Sequence, residues 1–283
     1  GTPTLTLVVG STNRTATYVS GSGSTPLVFQ HTIQAGDNDS NGISIGTNAL
    51  SLNSGTIRDA AGNNATLTHS SVDNNSGYKV DAILPTIDSV EITNATTGMQ
   101  NNFLNAGDVV SVTATFSELV NIANTPPQLT LAVGEDNHIA DYTSSASGTT
   151  TKVFTYTIQA GDNDTDGISI SANALALNSG TISDPAGNNA TLTHSAVLAN
   201  TSYKVDTTAP TVDNFTLSDT ALKIGDNATV TLGFSEIVIG FTAADITNPN
   251  GSLPSMTSDD NITWTGTFTP ATNTDVATNT LSL

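Results

Sequence analysis

The chain has 283 residues, of which 25 are Asp or Glu and only 6 are Lys or Arg, so its formal net charge at pH 7 is −19. Nucleic acids and anionic lipids both need clustered basic side chains, so neither is an expected partner. The sequence has no cysteine, which excludes disulfides, thiolate catalysis, Cys-ligated zinc and iron–sulfur clusters. No stretch approaches the roughly 20 apolar residues of a membrane helix, and we therefore expect no membrane insertion.

Apolar residues alternate with other residues, mostly threonine, in four short segments, which in chain order are 5–9, 112–116, 154–158 and 230–234. A period of two predicts half-buried strands of antiparallel sheet. Thr, Asn, Ser and Gly, which dominate the composition, are poor formers of helix interiors. Short strands between turns rich in Gly, Asn, Asp and Pro predict a β-sandwich. Trp264 and Phe268 alternate with threonine in the same way, and we expect them in a core.

An internal repeat organises the chain. Ile33 to Asp39 recurs 125 positions later as Ile158 to Asp164, and the same spacing relates three further pairs of segments that begin at Leu52, Ala61 and Tyr78. A second pattern, Gly-Asp followed by a strand and Phe-Ser-Glu, ends at Glu118 and again at Glu236. Self-similarity at a fixed period is typical of modular arrays. We predict three modules: the N-terminal module (residues 1–81), the central module (82–206) and the C-terminal module (207–283).

The two outer modules differ from the central one. The N-terminal module lacks the opening strands that the central module has at 87–118. The C-terminal module has opening strands but lacks the closing segments, and beyond Phe234 its sequence diverges. We interpret the chain as part of a longer array. The alternative is that neighbouring copies complete each other's sandwiches by strand addition, and so build a filament.

Four kinds of segment resemble bacterial immunoglobulin-like repeats: Val205 to Thr211, the two Phe-Ser-Glu strand ends, Asp184 to Asn188, and Phe241 to Asp245. Repeats of this cadherin-like kind form the stalks of giant secreted surface adhesins, and the resemblance spans the whole chain. It implies an all-β fold of tandem immunoglobulin-like, seven-stranded sandwiches in an elongated array. It also implies display on the bacterial cell surface, in cell adhesion and biofilms, with calcium at the domain junctions. It does not identify the adhesion target.

Strand direction brings distant acids of the central module together. We assume that the chain enters and leaves the module at opposite poles of the sandwich. The first strand (87–93) then leads away from the linker and the second strand (109–116) leads back to it, which puts Glu118 beside Asp81. The last strand must start at the same pole, so the loop that begins at Asp184 lies there as well. Three carboxylates in one place repel each other and need a cation. Calcium accepts six to eight hard oxygen ligands in irregular geometry, and we therefore predict a calcium site.

The same logic applies to the neighbouring junctions. It pairs Asp206 with Glu236 at the next junction and leaves Asp59 as the one member of the set in the N-terminal module. Zinc would prefer nitrogen or sulfur ligands, and magnesium would require near-octahedral order. The alternative is that these acids are solvated side chains that keep the chain soluble.

A second candidate for calcium is a loop with the spacing D-x-D-x-D-G. It occurs at Asp162 to Gly167 and, as D-x-D-x-N-G, at Asp37 to Gly42. The twelfth position is Asn173 or Asn48 rather than Glu, and strands are expected on both sides, so these loops are not EF-hands. They are either half-loops for calcium or Asx-rich turns. The candidate ligands are Asp37, Asp39, Asn41, Asp162, Asp164 and Asp166.

No catalytic constellation stands out. His69 and His194 occupy the same position of the repeat, and no Ser–His–Asp spacing accompanies them. Acids that recur with each module fit a role in every module better than a single active site, and we expect no enzyme. The favoured function is a structural extender whose partners are the neighbouring modules of the same chain. In the filament alternative, the partners are other copies.

Overall fold

A computed structural model describes residues 1–95, 103–143, 148–276 and 278–283 of the chain. The described part is all-β, as predicted, with three single-turn 3₁₀ helices at Ser76–Tyr78, Thr201–Tyr203 and Ala243–Asp245. None of its helices has the length and apolar character needed to cross a membrane. The strands are β1 (Thr4–Val9), β2 (Thr12–Ser20), β3 (Val28–Gln30), β4 (Asn38–Asp39), β5 (Leu50–Ser51), β6 (Val80–Asp81), β7 (Ile87–Ala95), β8 (Phe103–Leu104), β9 (Val109–Ala123), β10 (Gln128–Val133), β11 (Asp136–Thr143), β12 (Thr149–Thr157), β13 (Asn163–Asp164), β14 (Leu175–Ala176), β15 (Thr181–Ser183), β16 (Lys204–Asp206), β17 (Val212–Leu217), β18 (Ala228–Phe234), β19 (Gly251–Ser252) and β20 (Thr263–Pro270).

The chain divides into two compact units, Gly1–Thr207 and Thr208–Leu283. The first unit therefore contains both the N-terminal and the central module. The predicted boundary between residues 81 and 82 does not separate compact units, and the three-module division stays a prediction. All four alternating segments of the sequence fall largely within strands, namely β1, β9, β12 and β18.

The central module is built around the long strand β9. A seven-stranded sheet has the order β14–β10–β11–β12–β9–β15, and β7 pairs with β9 as well. A smaller sheet, β13–β16–β8, carries Leu104 and Val205 into the same core as Val112, Phe116 and Phe154 of the large sheet. Because alternate side chains of a strand point to opposite faces, β9 buries every second residue from Val110 to Phe116.

The N-terminal module repeats part of this arrangement. Its sheet has the order β3–β2–β1–β5, and β4 pairs with β6 in a separate two-stranded sheet. Leu5 pairs with Ala16 and Leu50, in the same register in which Leu129 of the central module pairs with Ala140 and Leu175. Within residues 1–81, all of which are described, there is no counterpart of β7, β8 or β9. Val9, Ala16 and Val80 are buried in this module, whereas Leu5, Leu7 and Phe29 are only partly buried.

The second unit has a four-stranded sheet, β17–β18–β20–β19, and its own core. Phe268 is buried in that core and Trp264 packs against it, as predicted. The rings of Phe234 and Trp264 both meet the ring of Phe241 edge-on, at centroid distances of 5.5 and 5.2 Å. The 3₁₀ helix at Ala243–Asp245 begins with a capping box between Thr242 and Asp245.

Candidate metal centre

The first unit brings the carboxylates of Asp81, Glu118 and Asp184 together. One oxygen of each lies within 4.8 Å of an oxygen of the other two. Asp81 is the last residue of β6, Glu118 lies in the middle of β9, and Asp184 follows β15 directly. Asp81 is exposed, Glu118 is partly buried and Asp184 is buried. Three acids that are far apart in sequence therefore meet where the N-terminal module passes into the central module.

The turn after β15 fixes the position of Asp184. The carboxylate of Asp184 accepts hydrogen bonds from the backbone N–H of Asn188 (2.8 Å) and from its side-chain amide (2.7 Å). Gly187 completes the turn with a φ of +95°, which glycine adopts without steric cost. Burial alone would raise the pKa of Asp184, but the hydrogen bonds from Asn188, Gly187 and Ala186 leave it below its usual value. The carboxylate of Asp184 is therefore held in place and favoured in its ionised form, as binding of a cation would require.

Glu118 has the opposite electrostatic character. Burial, and after it the negative charges of Asp81 and Asp184, raise the pKa of its carboxyl group. Like charges disfavour ionisation, so the ionised form of Glu118 is destabilised at this position. A cation placed between the three carboxylates would reverse that effect, because it favours the charged form.

Residues 82–86, which open the central module and form its linker to the N-terminal module, are hydrogen-bonded to both modules. On the side of the N-terminal module, Ala82 exchanges backbone hydrogen bonds with Gly36 and Asp37, each 2.9 Å long. On the side of the central module, the carbonyl oxygen of Thr86 accepts from the N–H of Ser117 at 2.9 Å. The side-chain amide of Asn188 also donates to the carbonyl oxygen of Asp81 (3.0 Å), so Asn188 joins the residue before the linker to the turn of Asp184.

The donor set of this cluster suits calcium. Calcium binds oxygen at 2.3–2.6 Å, so two ligands of one ion are at most about 5 Å apart, and the three carboxylates meet that condition. The cluster offers no nitrogen or sulfur ligand, which zinc would prefer. Asp81 lies on the solvent side, so water could complete the six to eight ligands that calcium accepts.

The other predicted junction residues are described one by one. Asp206 ends β16 in the first unit, and Glu236 lies just after β18 in the second unit, where one of its carboxylate oxygens is buried and accepts no hydrogen bond from the described residues, so their pairing stays a prediction. Asp59 accepts hydrogen bonds from the side chain and backbone of Asn63, which keep its pKa below the usual value. Among the described residues, the cluster of Asp81, Glu118 and Asp184 is the one group of three potential metal ligands.

The second acid of each half-loop accepts hydrogen bonds from the protein's own backbone. Asp164 accepts from the N–H groups of Gly134 (2.7 Å), Asp166 (3.2 Å) and Gly167 (2.7 Å). Asp39 has the corresponding partners Gly10, Asn41 and Gly42. Asn41 and Asp166 are exposed. The structure does not bring Asp162, Asp164 and Asp166 together as one ligand set, and its hydrogen bonds are those of a carboxylate-centred turn.

The first acids of these loops bind to side chains of the neighbouring strands. Asp37 accepts from Nε of Arg14 (2.7 Å) and also pairs with the terminal guanidinium nitrogen. The hydrogen bond from the backbone N–H of Gln34, and after it the interaction with Arg14, keep the pKa of Asp37 below its usual value. Asp162 instead accepts from the hydroxyl of Tyr156 at 2.6 Å, and His138 lies 3.4 Å away. The two modules therefore place different residues around the same aspartate.

Sequence reasoning overlooked two kinds of residue at these sites. Asn188 connects Asp81 to Asp184, and its recurrence as Asn63, four positions after Asp59, was a signal for it. The partners of Asp37 and Asp162 lie on other strands and differ between the modules, so the repeat gave no signal for them.

Comparison with known proteins gives a similarity for the C-terminal part of the chain. Residues 206–283 match the family model of the bacterial Ig-like domain. This match covers the second unit and the end of β16, and it agrees with the all-β fold of the unit. No curated protein and no solved structure matches the chain.

Proposed function

We propose that this chain is a structural spacer of a bacterial surface adhesin, stiffened by calcium at the junction between its N-terminal and central modules. The observation that carries this proposal is the convergence of Asp81, Glu118 and Asp184 at that junction. Bacterial Ig-like domains are commonly found at the cell surface, which supports an extracellular location. Calcium is available there at concentrations that suit the affinity of extracellular modules, about 10⁻⁴–10⁻³ M.

The physical basis of the stiffening is linkage. The three ligands belong to the end of β6, to β9 and to the turn after β15, so the cluster exists only while the N-terminal and central modules are joined correctly. An ion that binds this arrangement alone stabilises it by about 1.4 kcal/mol at ten times its Kd. The linker's hydrogen bonds to both modules support the same arrangement.

Small-angle X-ray scattering tests the proposed stiffening. The 283-residue chain is measured in calcium and again after chelation, beside the variant Glu118→Gln. We expect calcium to increase the radius of gyration of the unmodified chain and to leave the variant unchanged. Scattering curves that do not change on chelation would contradict the spacer function, even if calcium binds.

A further inference from the structure

The N-terminal and central modules each carry a histidine that is in hydrogen-bond contact through both ring nitrogens. Nε2 of His194 accepts the backbone N–H of Ala174 at 2.8 Å, and its Nδ1 lies 2.8 Å from the carbonyl oxygen of the following residue. His69 occupies the same position of the repeat and makes the same two contacts, with the N–H of Ala49 at 2.8 Å and with the following carbonyl oxygen at 2.7 Å. The arrangement is therefore built into the repeat.

These partners fix the position of the ring proton. A backbone N–H can only donate and a carbonyl oxygen can only accept. Nε2 must therefore offer a free lone pair, and Nδ1 must carry the proton. Both rings are neutral in this arrangement, in the Nδ1–H tautomer. An imidazolium has an N–H at both ring nitrogens, so it could not accept the N–H of Ala49 or Ala174.

An asparagine next to each alanine adds two further hydrogen bonds. The N–H of Asn173 donates to the carbonyl oxygen of His194 (3.3 Å), and Oδ1 of Asn173 accepts the N–H of His194 (3.0 Å). Asn48 makes both bonds to His69 at the same distances. In each module three hydrogen bonds thus join the histidine to the Asn-Ala pair, and we call these three bonds the histidine clasp.

The clasp fastens the closing segment of the module. In the central module this segment, residues 190–197, follows the turn of Asp184 and is also attached at its two ends. The N–H of Ala190 donates to Ile182 (2.8 Å), and Val197 exchanges backbone hydrogen bonds with Ile170. The clasp lies between these attachments, directly ahead of β14, so its loss would free the middle of the closing segment.

We propose that His69 and His194 are acid-sensitive clasps, which release the closing segments of their modules when their rings take up a second proton. The unfolded chain binds that proton without losing a hydrogen bond, whereas the folded clasp loses the bond to Ala49 or Ala174. The clasps therefore hold at neutral pH and weaken as the pH falls through the range near 6.5 in which histidine side chains ordinarily titrate. His194 is only 9% exposed, and burial also disfavours a charged ring.

One carboxylate faces a clasp from another strand. Asp88 of β7 lines the same cavity of about 630 Å³ as His194, and its charge favours the protonated ring. The segments that form the central clasp, 170–177 and 191–197, contain no other ionisable side chain, and the same holds for segments 45–52 and 66–72 around His69. Neither histidine forms a salt bridge with a described residue. The clasps share no residue with the acid cluster, so the proposal does not depend on calcium.

Nuclear magnetic resonance of the ¹⁵N-labelled 283-residue chain in EDTA tests the proposal. Long-range ¹H–¹⁵N spectra report the tautomer of each ring, and hydrogen exchange, corrected for the intrinsic rate, reports the clasp amides of Ala49 and Ala174 at pH 7.5 and 5.0. The amides of β2 and β12, which lie outside the clasps, are the reference. We expect the Nδ1–H tautomer in both rings at pH 7.5. Protection of the two clasp amides should fall about 10-fold at pH 5.0, while the reference amides keep theirs.

Two variants provide matched controls. A glutamine side chain can accept the same backbone N–H but does not titrate. His69→Gln should remove the pH response at Ala49 and leave that at Ala174 unchanged, and His194→Gln should do the converse. Each variant thus contains one intact clasp as its internal reference.

Four results would overturn the proposal. The first is an Nε2–H tautomer in either ring at pH 7.5, and the second is unchanged protection of Ala49 and Ala174 at pH 5.0. The third is a pH response at Ala174 that persists in His194→Gln. The fourth is a simultaneous loss of protection in β12, which would show that acid unfolds the module as a whole and not the clasp alone.

Discussion

Glu118 lies between two other carboxylates, and its raised pKa gives a test of the cluster without any metal. A carboxyl group whose pKa is higher in the folded than in the unfolded state favours folding at low pH, and this contribution is lost as the pH rises through the folded value. At pH 7 the ionised group is therefore destabilising. In EDTA we expect Glu118→Gln to raise the free energy of unfolding by about 0.5 kcal/mol, the size of a solvent-screened interaction.

Calcium should reverse the sign of this effect. At ten times the Kd of the unmodified chain, calcium should stabilise that chain by about 1.4 kcal/mol and the variant much less. Thermal unfolding at pH 7 in EDTA and in calcium measures both differences. At pH 4 and below, the advantage of Glu118→Gln in EDTA should disappear. A variant that is less stable than the unmodified chain in EDTA would contradict the proposed repulsion.

The backbone conformation and the close packing at position 167 explain why it is a glycine, without any metal. Its φ is +98°, and a Cβ there would overlap the carbonyl oxygen of Asn200. We expect Gly167→Ala to lower the free energy of unfolding by at least about 2 kcal/mol, equally in calcium and in EDTA. Gly161→Ala is the matched control, because Gly161 has a φ of +102° but open space around its Cβ position. A loss that depends on calcium would instead support a metal-binding half-loop.

Lys152 is a buried cation, with 1% of its surface exposed. Its ammonium group donates to the carbonyl and hydroxyl oxygens of Thr149, and burial lowers its pKa. A lysine with a depressed folded-state pKa destabilises the fold below that value, and stability rises as the pH approaches the ordinary lysine pKa of about 10.4. The N-terminal module has Leu27 at the equivalent position.

The variant Lys152→Leu should therefore stabilise the first unit at pH 7. We expect a gain of about 1–2 kcal/mol, within the range seen when buried charges are replaced by apolar residues. The gain should shrink as the pH rises toward 10. Denaturant unfolding at several pH values measures it, and Lys79→Leu, at an exposed position, should have no effect. A gain that is constant with pH would exclude the burial of charge as its cause.

At the scale of strands, the two modules of the first unit should differ in local stability. β1 and β10 have the same register with their neighbours, but Leu129 and Leu131 of β10 are fully buried whereas the leucines at 5 and 7 in β1 are only partly buried. Amides in regions with few buried apolar contacts exchange through local opening. We expect amides of residues 5–9 to exchange at least 10-fold faster than those of residues 129–133. Equal rates in the two strands would show that this difference in burial has no energetic consequence.

The strands and the acid cluster were accessible from sequence for a simple reason. The alternation of apolar residues fixes strands such as β9, and the direction of successive strands decides the pole at which Glu118 and Asp184 lie. Neither argument needs the positions of side chains. The partners of Asp164 could not be deduced in this way, because Gly134 is 30 residues distant and meets Asp164 only through the tertiary arrangement of the loops. The burial of Lys152 could not be deduced from the sequence either, because it too depends on the tertiary arrangement.

At the scale of the whole molecule, the repeat supplies a comparison for the acid cluster found among the described residues. Asp59 is the counterpart of Asp184, but the N-terminal module has no counterpart of β9 to bring a glutamate beside it. Asp59 is therefore a natural internal control. It has the same turn and the same hydrogen bonds to an asparagine four positions later, without the two other acids.

Isothermal titration of calcium into the 283-residue chain tests the metal centre most directly. The titration compares the unmodified chain with Glu118→Gln, Asp81→Asn and the control Asp59→Asn. We expect a Kd of about 10⁻⁴–10⁻³ M, a loss of affinity of at least 10-fold in the first two variants, and unchanged affinity in the control. Equal binding by all four chains, or no binding at 10⁻² M calcium, would contradict a calcium ion held by Asp81, Glu118 and Asp184.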